Sequence, residues 1–281
     1  MNGKKVLNKK YNFLEKIGHG NFGSVYKGIN QKNGEHVAIK SENRNSPIKL
    51  LKNETSILKY LYDYGSRITP IVYWFGVDNE FNYLIMSYYE ISLYDYCNQN
   101  SLSIDKINKI MYASIDILET IHKNYIIHCD IKPQNFMISN EELFLIDFGF
   151  SRFFIDENKK PLCDLGSQNI IGTPKYVSYN IHNGNMPSCR DDLISLGYIY
   201  LYLCCRELPW DNLKINNTTF EYDDLHILNF KNQQRKNLKE WENLEKLCLQ
   251  VNEKIHKFLN YCYLLKYDST PEYTILKTLF T

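Results

Sequence analysis

The chain has 281 residues, of which 44% are hydrophobic and 23% are charged, so it is long enough for one large domain or two modest ones with a substantial core. Its 33 basic and 32 acidic side chains leave a formal net charge of +1. That balance gives no electrostatic basis for binding nucleic acid or a membrane surface, and we expect neither partner.

The eight cysteines form no C-x-x-C pair and no zinc pattern with histidine. We expect reduced and mostly buried thiols. The longest apolar run, residues 196–205, is too short to span a bilayer, and no apolar stretch follows the basic N-terminal residues. These features predict a soluble, intracellular protein of the cytoplasm, the nucleus or both, and we expect a monomer.

Short β-prone runs alternate with turn signals in the first third of the chain. The runs are residues 11–17, 24–29 and 36–41. A glycine-rich stretch separates the first two, and Asn33-Gly34, a frequent hairpin turn, separates the last two. The alternation predicts an antiparallel sheet.

The next elements are one helix and two further strands. Apolar residues recur on one helical face from Leu50 to Leu61, just after Pro47, which predicts a helix there. Strands are predicted over residues 71–77 and 83–88. They complete a small β-rich part of the chain.

Helical periodicity dominates from Ser92 onward. A long amphipathic helix is predicted over residues 104–121, beginning near Ser103 or Asp105. Two short strands follow, over residues 135–139 and 143–147, and the very apolar residues 193–205 predict a buried central helix.

The stretch IGHGNFGSV has the spacing G-x-G-x-x-G. Alone this signal is weak, because glycine clusters often form turns. Here it lies between two predicted strands and opens no helix, which disfavours a dinucleotide fold and favours a loop over nucleotide phosphates. The nucleotide-binding residues predicted for it are Ile17, Gly18, His19, Gly20, Asn21, Phe22, Gly23, Ser24 and Val25.

The tetrapeptide VAIK places Lys40 on the third predicted strand. A lysine on a strand is by default an edge charge. With the glycine loop upstream, Lys40 is instead predicted to bind the α- and β-phosphates, and Glu54 on the following helix to pair with it. The alternative for Glu54 is an ordinary surface glutamate.

Two motifs supply the reactive groups: HCDIKPQNF contains Asp130, Lys132 and Asn135, and IDFG contains Asp147. Carboxylates, an amide and a lysine are what metal-assisted phosphoryl transfer needs. We predict that Asp130 accepts the substrate hydroxyl proton, that Lys132 contacts the γ-phosphate, and that Asn135 and Asp147 bind Mg²⁺, with Mn²⁺ as a substitute. Taken singly, each acid could simply cap a loop.

The pentapeptide GTPKY follows at residues 172–176, where a substrate-receiving segment is expected. Thr173 is predicted to hydrogen-bond Asp130 and Lys132. The alternative is a plain turn.

These motifs give the chain its resemblance to eukaryotic-type protein kinases. More narrowly it resembles the casein kinase I family, through NFM, GTPKYVSYNIH, SCRDDLISLGY, ELPW and NYCYLLKYDSTPEYTIL. The resemblance implies an α+β fold with two lobes: a small antiparallel β-sheet lobe with one main helix, and a larger, mainly helical lobe. We place the ATP-binding lobe at residues 1–88 and the catalytic and substrate lobe at residues 89–281, within one kinase domain.

The resemblance also implies ATP as donor, Ser/Thr hydroxyls of proteins as acceptors, and a preference for acidic or already phosphorylated sites. It assigns Ala38, Met86, Tyr88 and Met137 to the ATP site. Lys175 matches a position that binds substrate phosphate in the family. Arg152, Lys231 and Arg235 are looser candidates, for which solvated charge is the alternative.

Two departures from the family stand out. Cys129 replaces the arginine of H-R-D, and Glu90-Ile91 replaces a Gly-Pro after the hinge. Because cysteine cannot make a bidentate contact with phosphate, we predict an activity independent of activation-loop phosphorylation. Asp192 is predicted to brace the catalytic loop. The rival hypotheses are a nucleotide-binding pseudokinase and a small-molecule phosphotransferase.

Overall fold

The computed structural model describes residues 6–20, 23–213 and 224–281. They fall into two compact units. The first unit contains the residues up to Leu93 together with Phe136–Ser151, and the second contains Tyr94–Asn135 together with Arg152–Thr281. The predicted division into functional lobes at residue 88 stays a prediction.

A six-stranded antiparallel sheet forms the body of the first unit. Its strands are β1 (Val6–Leu7), β2 (Tyr11–Gly20), β3 (Gly23–Asn30), β4 (His36–Asn43), β5 (Val72–Val77) and β6 (Phe81–Ser87). Their spatial order is β1-β2-β3-β4-β6-β5. The sheet predicted from the alternating runs is confirmed.

Helix α1 (Leu50–Asp63) accompanies this sheet and buries the predicted apolar stripe, including Leu51, Ile57, Leu58 and Leu61. The sheet has its own cluster of buried side chains, centred on Tyr11, Val37, Ile39, Tyr83 and Ile85. The predicted helix is therefore confirmed, with its start at Leu50.

A smaller three-stranded sheet also belongs to the first unit. It joins β7 (Ile91–Ser92), β9 (Phe136–Ser139) and β10 (Glu142–Leu145) in the order β10-β9-β7. Strand β9 follows a 3₁₀ turn at Pro133–Asn135, and a second 3₁₀ turn, Phe148–Phe150, follows β10. The two strands predicted beside the aspartates are thus present.

The second unit is mainly helical. Its helices include α2 (Leu93–Gln99), α3 (Ile104–Lys123), α4 (Tyr179–His182), α5 (Cys189–Cys205), α6 (Asp224–Leu238), α7 (Trp241–Val251), α8 (Glu253–Leu264) and α9 (Tyr273–Thr278). A two-stranded ribbon pairs β8 (Ile126–Ile127) with β11 (Arg152–Phe153). The mixed α+β class predicted from the sequence is confirmed.

Helix α5 is the centre of this unit. Fourteen of its seventeen residues are buried, and it packs against α3, α7 and α8. A helix that is apolar on all sides must be surrounded by protein. The predicted buried helix is confirmed, and Ser103 caps α3 by accepting a hydrogen bond from the backbone N–H of Lys106 at 3.2 Å.

The cysteines are mostly buried, as predicted; the buried ones are Cys97, Cys129, Cys189, Cys248 and Cys262. Among the described residues, no helix combines the length and apolarity needed to cross a membrane.

Candidate active site

Lys40 is the centre of an ion-pair cluster in the first unit. Its Nζ donates to Glu54 Oε1 at 2.7 Å and to Asp147 Oδ1 at 2.9 Å. Strand β4 supplies the lysine, and the buried face of α1 supplies Glu54, whose side chain is 2% exposed. The pairing of Lys40 with Glu54 that the sequence predicts is present.

The charged groups of this cluster shift one another's pKa values. Burial opposes the charge on Lys40, but the carboxylates of Asp147 and Glu54 outweigh it and raise the lysine pKa. Burial raises the pKa of Glu54, and the nearby ammonium opposes that rise. Lys40 is therefore a permanent cation, suited to binding phosphate oxygens.

Asp147 is held in an unusual backbone conformation. Its φ of 70° lies in the left-handed region, where aspartate is one of the few tolerated side chains. Such strain costs about 1–3 kcal/mol and collects at functional sites. The side chain is 42% exposed, and its carboxylate is a hard oxygen ligand of the kind that Mg²⁺ prefers.

Asp130 lies in the second unit, in the loop after β8, and both of its carboxylate oxygens accept hydrogen bonds. Oδ1 accepts from the backbone N–H of Thr173 at 2.9 Å and from Thr173 Oγ1 at 2.7 Å. Oδ2 accepts from Lys132 Nζ at 2.6 Å. Lys132 Nζ also donates to Thr173 Oγ1 at 3.2 Å, so the contacts predicted for Thr173 are present.

Asn135 ends the 3₁₀ turn that follows Asp130. Its Nδ2 donates to the backbone carbonyl of Asp130 at 2.8 Å, so the amide hydrogens face Asp130 and the amide oxygen is the atom suited to a cation. Amide and carboxylate oxygens are the hard donors that a Mg²⁺ ion takes. The amide oxygen of Asn135 therefore fits the divalent ion that the sequence predicts, and its metal-binding role stays a prediction.

Asp192 on α5 fixes the loop that carries Asp130. Its Oδ2 accepts from the backbone N–H of His128 at 2.7 Å, and its Oδ1 accepts from that of Cys129 at 3.0 Å. Cys129 itself is buried, with a φ of 67°, and burial raises the pKa of its thiol well above the usual value. The bracing role predicted for Asp192 is confirmed.

The glycine-rich stretch lies where β2 turns into β3. Gly20 pairs with Gly23, Ile17 and Gly18 lie on β2, and Val25 lies on β3. A Cβ on Gly23 would overlap the carbonyl oxygen of Ser41, so only glycine fits there.

Two side chains flank this turn, since His19 Nδ1 lies 3.1 Å from Ser24 Oγ. Asn21 and Phe22 lie outside the described residues.

The family profile for the protein kinase domain matches residues 11–277. The chain belongs to the protein kinase family. Its mixed α+β architecture is consistent with the bilobal kinase fold, and membership implies phosphoryl transfer to proteins with ATP and a divalent metal.

The further residues predicted for the ATP site of this kinase lie on the sheets of the first unit or directly after a strand. Ala38 on β4 and Met86 on β6 are paired across the sheet and buried. Tyr88 follows β6, with its ring 6.1 Å from that of His36, and Met137 lies on β9 opposite Phe144. Their binding roles stay predictions.

Two of the predicted anion-binding residues of the kinase, Lys175 and Arg152, have partners within the protein. Lys175 Nζ forms an ion pair with Asp211 Oδ2 at 2.8 Å, so a substrate phosphate would compete with a carboxylate there. Arg152 donates to the backbone carbonyl of Pro187 at 3.0 Å. Arg235 and Lys231 both lie on α6. Their roles also stay predictions.

Sequence reasoning missed several buried charged residues, among them Glu42 and Lys239. Glu42 on β4 accepts hydrogen bonds at the start of α1, and Lys239 contacts the segment after Thr173. The position of Glu42, two residues after Lys40 on one strand, was a usable signal for the first. The sequence gives no signal for the second, because its partners are distant backbone carbonyls.

Proposed function

We propose that this protein kinase is a Ser/Thr kinase of the casein kinase I type. It transfers the γ-phosphoryl group of ATP to protein hydroxyls and favours acidic or already phosphorylated sites. The observation that carries the proposal is the carboxylate of Asp130, held on one oxygen by Lys132 and on the other by Thr173. A carboxylate with a fixed direction can orient an alcohol for in-line attack.

Each remaining group has one role. Asp130 orients the hydroxyl and receives its proton, an effect worth about 10²- to 10⁴-fold in rate. Lys40, directed by Glu54, binds phosphate oxygens, and Asn135 and Asp147 each offer an oxygen to Mg²⁺. The bound ion supplies positive charge that neutralises the phosphates.

Two features support independence from loop phosphorylation. Cys129 offers no guanidinium to a phosphate, and burial keeps its thiol neutral. Thr173 already contacts Asp130 and Lys132 directly. Activity should therefore survive treatment of the purified kinase with a phosphatase.

The decisive experiment offers the purified kinase radiolabelled ATP with Mg²⁺ or Mn²⁺. The acceptors are casein and matched serine peptides that carry acidic, pre-phosphorylated or neutral flanks. Asp130→Asn is the inactive control, and Asp63→Asn, at an exposed position on α1, is the matched control.

The expected result is transfer to casein and a higher rate with acidic or phosphorylated flanks. Nucleotide binding without any transfer would favour the pseudokinase hypothesis. Transfer to small molecules alone would favour a small-molecule phosphotransferase. Equal rates for all peptides would remove the casein kinase I preference while leaving the kinase activity.

A further inference from the structure

Lys239 lies between α6 and α7 and is fully buried, with 0% of its surface exposed. Buried lysines usually pair with a carboxylate, because an uncompensated buried charge costs several kcal/mol. Within the described part of the chain, no carboxylate contacts the Nζ of Lys239. Its partners are instead backbone carbonyls, aromatic rings and the His182 imidazole, whose Nε2 lies 3.3 Å from Nζ.

Those carbonyls belong to the segment that follows Thr173. Lys239 Nζ donates to the carbonyl of Pro174 at 3.0 Å and to that of Val177 at 2.7 Å. The indole N–H of Trp210 donates to the intervening carbonyl of Lys175 at 2.7 Å. Three of the four carbonyls in residues 174–177 are therefore held by buried side chains.

Buried aromatic side chains enclose the amine. The rings of Tyr198 and Trp210 lie 5.0 and 4.9 Å from Nζ, and the Tyr263 hydroxyl donates to the backbone carbonyl of Lys239 at 2.7 Å. Burial, with the charge of Arg235, lowers the pKa of Lys239 well below its usual value. An uncharged amine still has two N–H donors, one for each carbonyl.

The segment held by Lys239 leads back to Asp130. The backbone N–H groups of Tyr176 and Val177 donate to the carbonyl of Thr173 at 2.8 and 3.0 Å, closing a turn on that residue. Thr173 in turn donates to Asp130. Fixing the carbonyls of this turn therefore fixes the threonine as well.

We propose that Lys239 is a positioning residue for the acceptor segment, defined as residues 172–177. Through two carbonyls it sets the backbone that receives the substrate polypeptide and that presents Thr173 to Asp130. This role rests on the proposed function, because the acceptor segment matters only if the chain phosphorylates polypeptides. Lys239 itself touches neither substrate nor nucleotide.

The test compares Lys239→Met, which keeps the length of the side chain and removes its donors, with Lys239→Gln, which keeps a shorter donor. Lys246→Met is the matched control, because Lys246 is exposed on the neighbouring helix α7. Two readouts are taken for each variant: the KM for an acidic peptide against the KM for ATP, and the hydrogen-exchange rates of the Tyr176 and Val177 amides.

Loss of two hydrogen bonds to a buried amine is expected to raise the peptide KM of Lys239→Met about tenfold, with the ATP KM within about twofold. The Tyr176 and Val177 amides should exchange faster than in wild type when Lys239 is replaced by methionine. The increase should be smaller in Lys239→Gln, and the rates should be unchanged in Lys246→Met. If Lys239→Met does not fold, Lys239→Gln decides by the same readouts.

Unchanged amide exchange in the folded variants would overturn the proposal, as would parallel rises of both KM values. Failure of the proposed function is a separate result. In that case the wild-type chain labels no peptide at all, while the exchange rates still report whether Lys239 holds the segment.

Discussion

The hydroxyl of Thr173 has two tasks at once, since it donates to Asp130 Oδ1 at 2.7 Å and accepts from Lys132 Nζ at 3.2 Å. Without it, Asp130 would keep the backbone N–H of Thr173 on the same oxygen but would lose its link to Lys132 through that residue. The side-chain hydroxyl thus adds a second link between the acid and the lysine, beside their direct contact at 2.6 Å.

Replacing Thr173 with valine tests this second link, because valine keeps the shape and removes the hydroxyl. We expect kcat to fall about tenfold, since a hydrogen bond to a charged group is worth about 1.5–3 kcal/mol, while the KM for ATP stays unchanged. Thr173→Ser keeps the hydroxyl and should remain close to wild type. Steady-state kinetics measure both, and equal losses in the two variants would point to packing instead.

Substitutions of Asp130 and Asp147 should differ in their effects on kcat and on nucleotide affinity. Asp130→Asn removes the proton acceptor and should lower kcat by about 10²- to 10⁴-fold with little change in MgATP affinity. Asp147→Ala removes a proposed metal ligand and should weaken nucleotide binding when Mg²⁺ is present. Titration calorimetry measures the affinities, and equal losses of binding in both variants would reverse the assignment.

At single positions the sequence predicts contacts well when both partners lie in motifs. The pairs Lys40–Glu54 and Thr173–Asp130 are of this kind. The ion pair of Lys175 with Asp211 was not predicted, because it depends on a tertiary fold that brings a later loop beside the acceptor segment. The anion-binding role of Lys175 stays a prediction. A basic residue in a motif identifies a charge, and its partner is decided by packing.

Helix α1 is bound at two places by side chains of a single strand, β4. The side chain of its N-cap residue, Lys49, forms no capping hydrogen bond. The first two N–H groups of the helix, from Leu50 and Leu51, instead donate to Glu42 Oε1 at 2.8 and 3.0 Å. Strand β4 therefore holds the start of α1 through Glu42 and its middle through Lys40.

Glu42→Ala removes the first of these attachments. We expect the free energy of unfolding to fall by about 1–2 kcal/mol, the usual cost of a lost helix cap, and kcat to fall because Glu54 is less firmly placed. Glu42→Gln keeps an oxygen acceptor and should lose less. Urea unfolding and kinetics provide the measurements, with Glu80→Ala, at an exposed position, as the control.

An unchanged kcat in a destabilised Glu42→Ala protein would mean that Lys40 alone places α1. The element itself was predictable, because its apolar stripe is periodic. Its cap was not, since Glu42 lies eight residues before the helix on another element. Propensity and periodicity locate helices, whereas the groups that satisfy their ends come from wherever the fold supplies them.

At the scale of the whole chain, segments that are distant in the sequence belong to the same compact unit. Residues 136–151 return to the first unit because β9 pairs with β7, with Ile91 opposite Ile138 and Ser92 opposite Met137. The first unit therefore consists of two segments that are separate in the sequence. The α+β class was predictable from the change of periodicity near Ser92, but this strand pairing was not, because both strands are short.

The stability of the second unit should depend on pH through His122 on α3. Its Nε2 lies 3.0 Å from Asp192 Oδ2, and its Nδ1 contacts the Tyr273 hydroxyl. Burial opposes protonation, but the neighbouring Cys189 and Asp192 raise the pKa of His122 to about 10. Burial likewise favours the neutral form of Asp192, yet the hydrogen bond and charge of His122 lower its pKa.

The folded state therefore holds a proton on His122 that the unfolded chain releases above a pH of about 6.5. Because the native state then binds more protons, this contribution is complete below pH 6.5 and is lost as the pH rises towards about 10. Lys239 contributes the opposite slope, since its pKa is lowered in the folded state.

The effect of His122 is isolated by comparing wild type with His122→Gln, which has no titrating group there and keeps Lys239. We expect the difference in unfolding free energy between the two proteins, measured in urea, to shrink steadily between about pH 6.5 and pH 9.5. Glu253, an exposed residue of α8, provides a control substitution, Glu253→Gln. A difference that stays constant over this range would mean that His122 is neutral in the fold and donates to Asp192 Oδ2 as an uncharged imidazole.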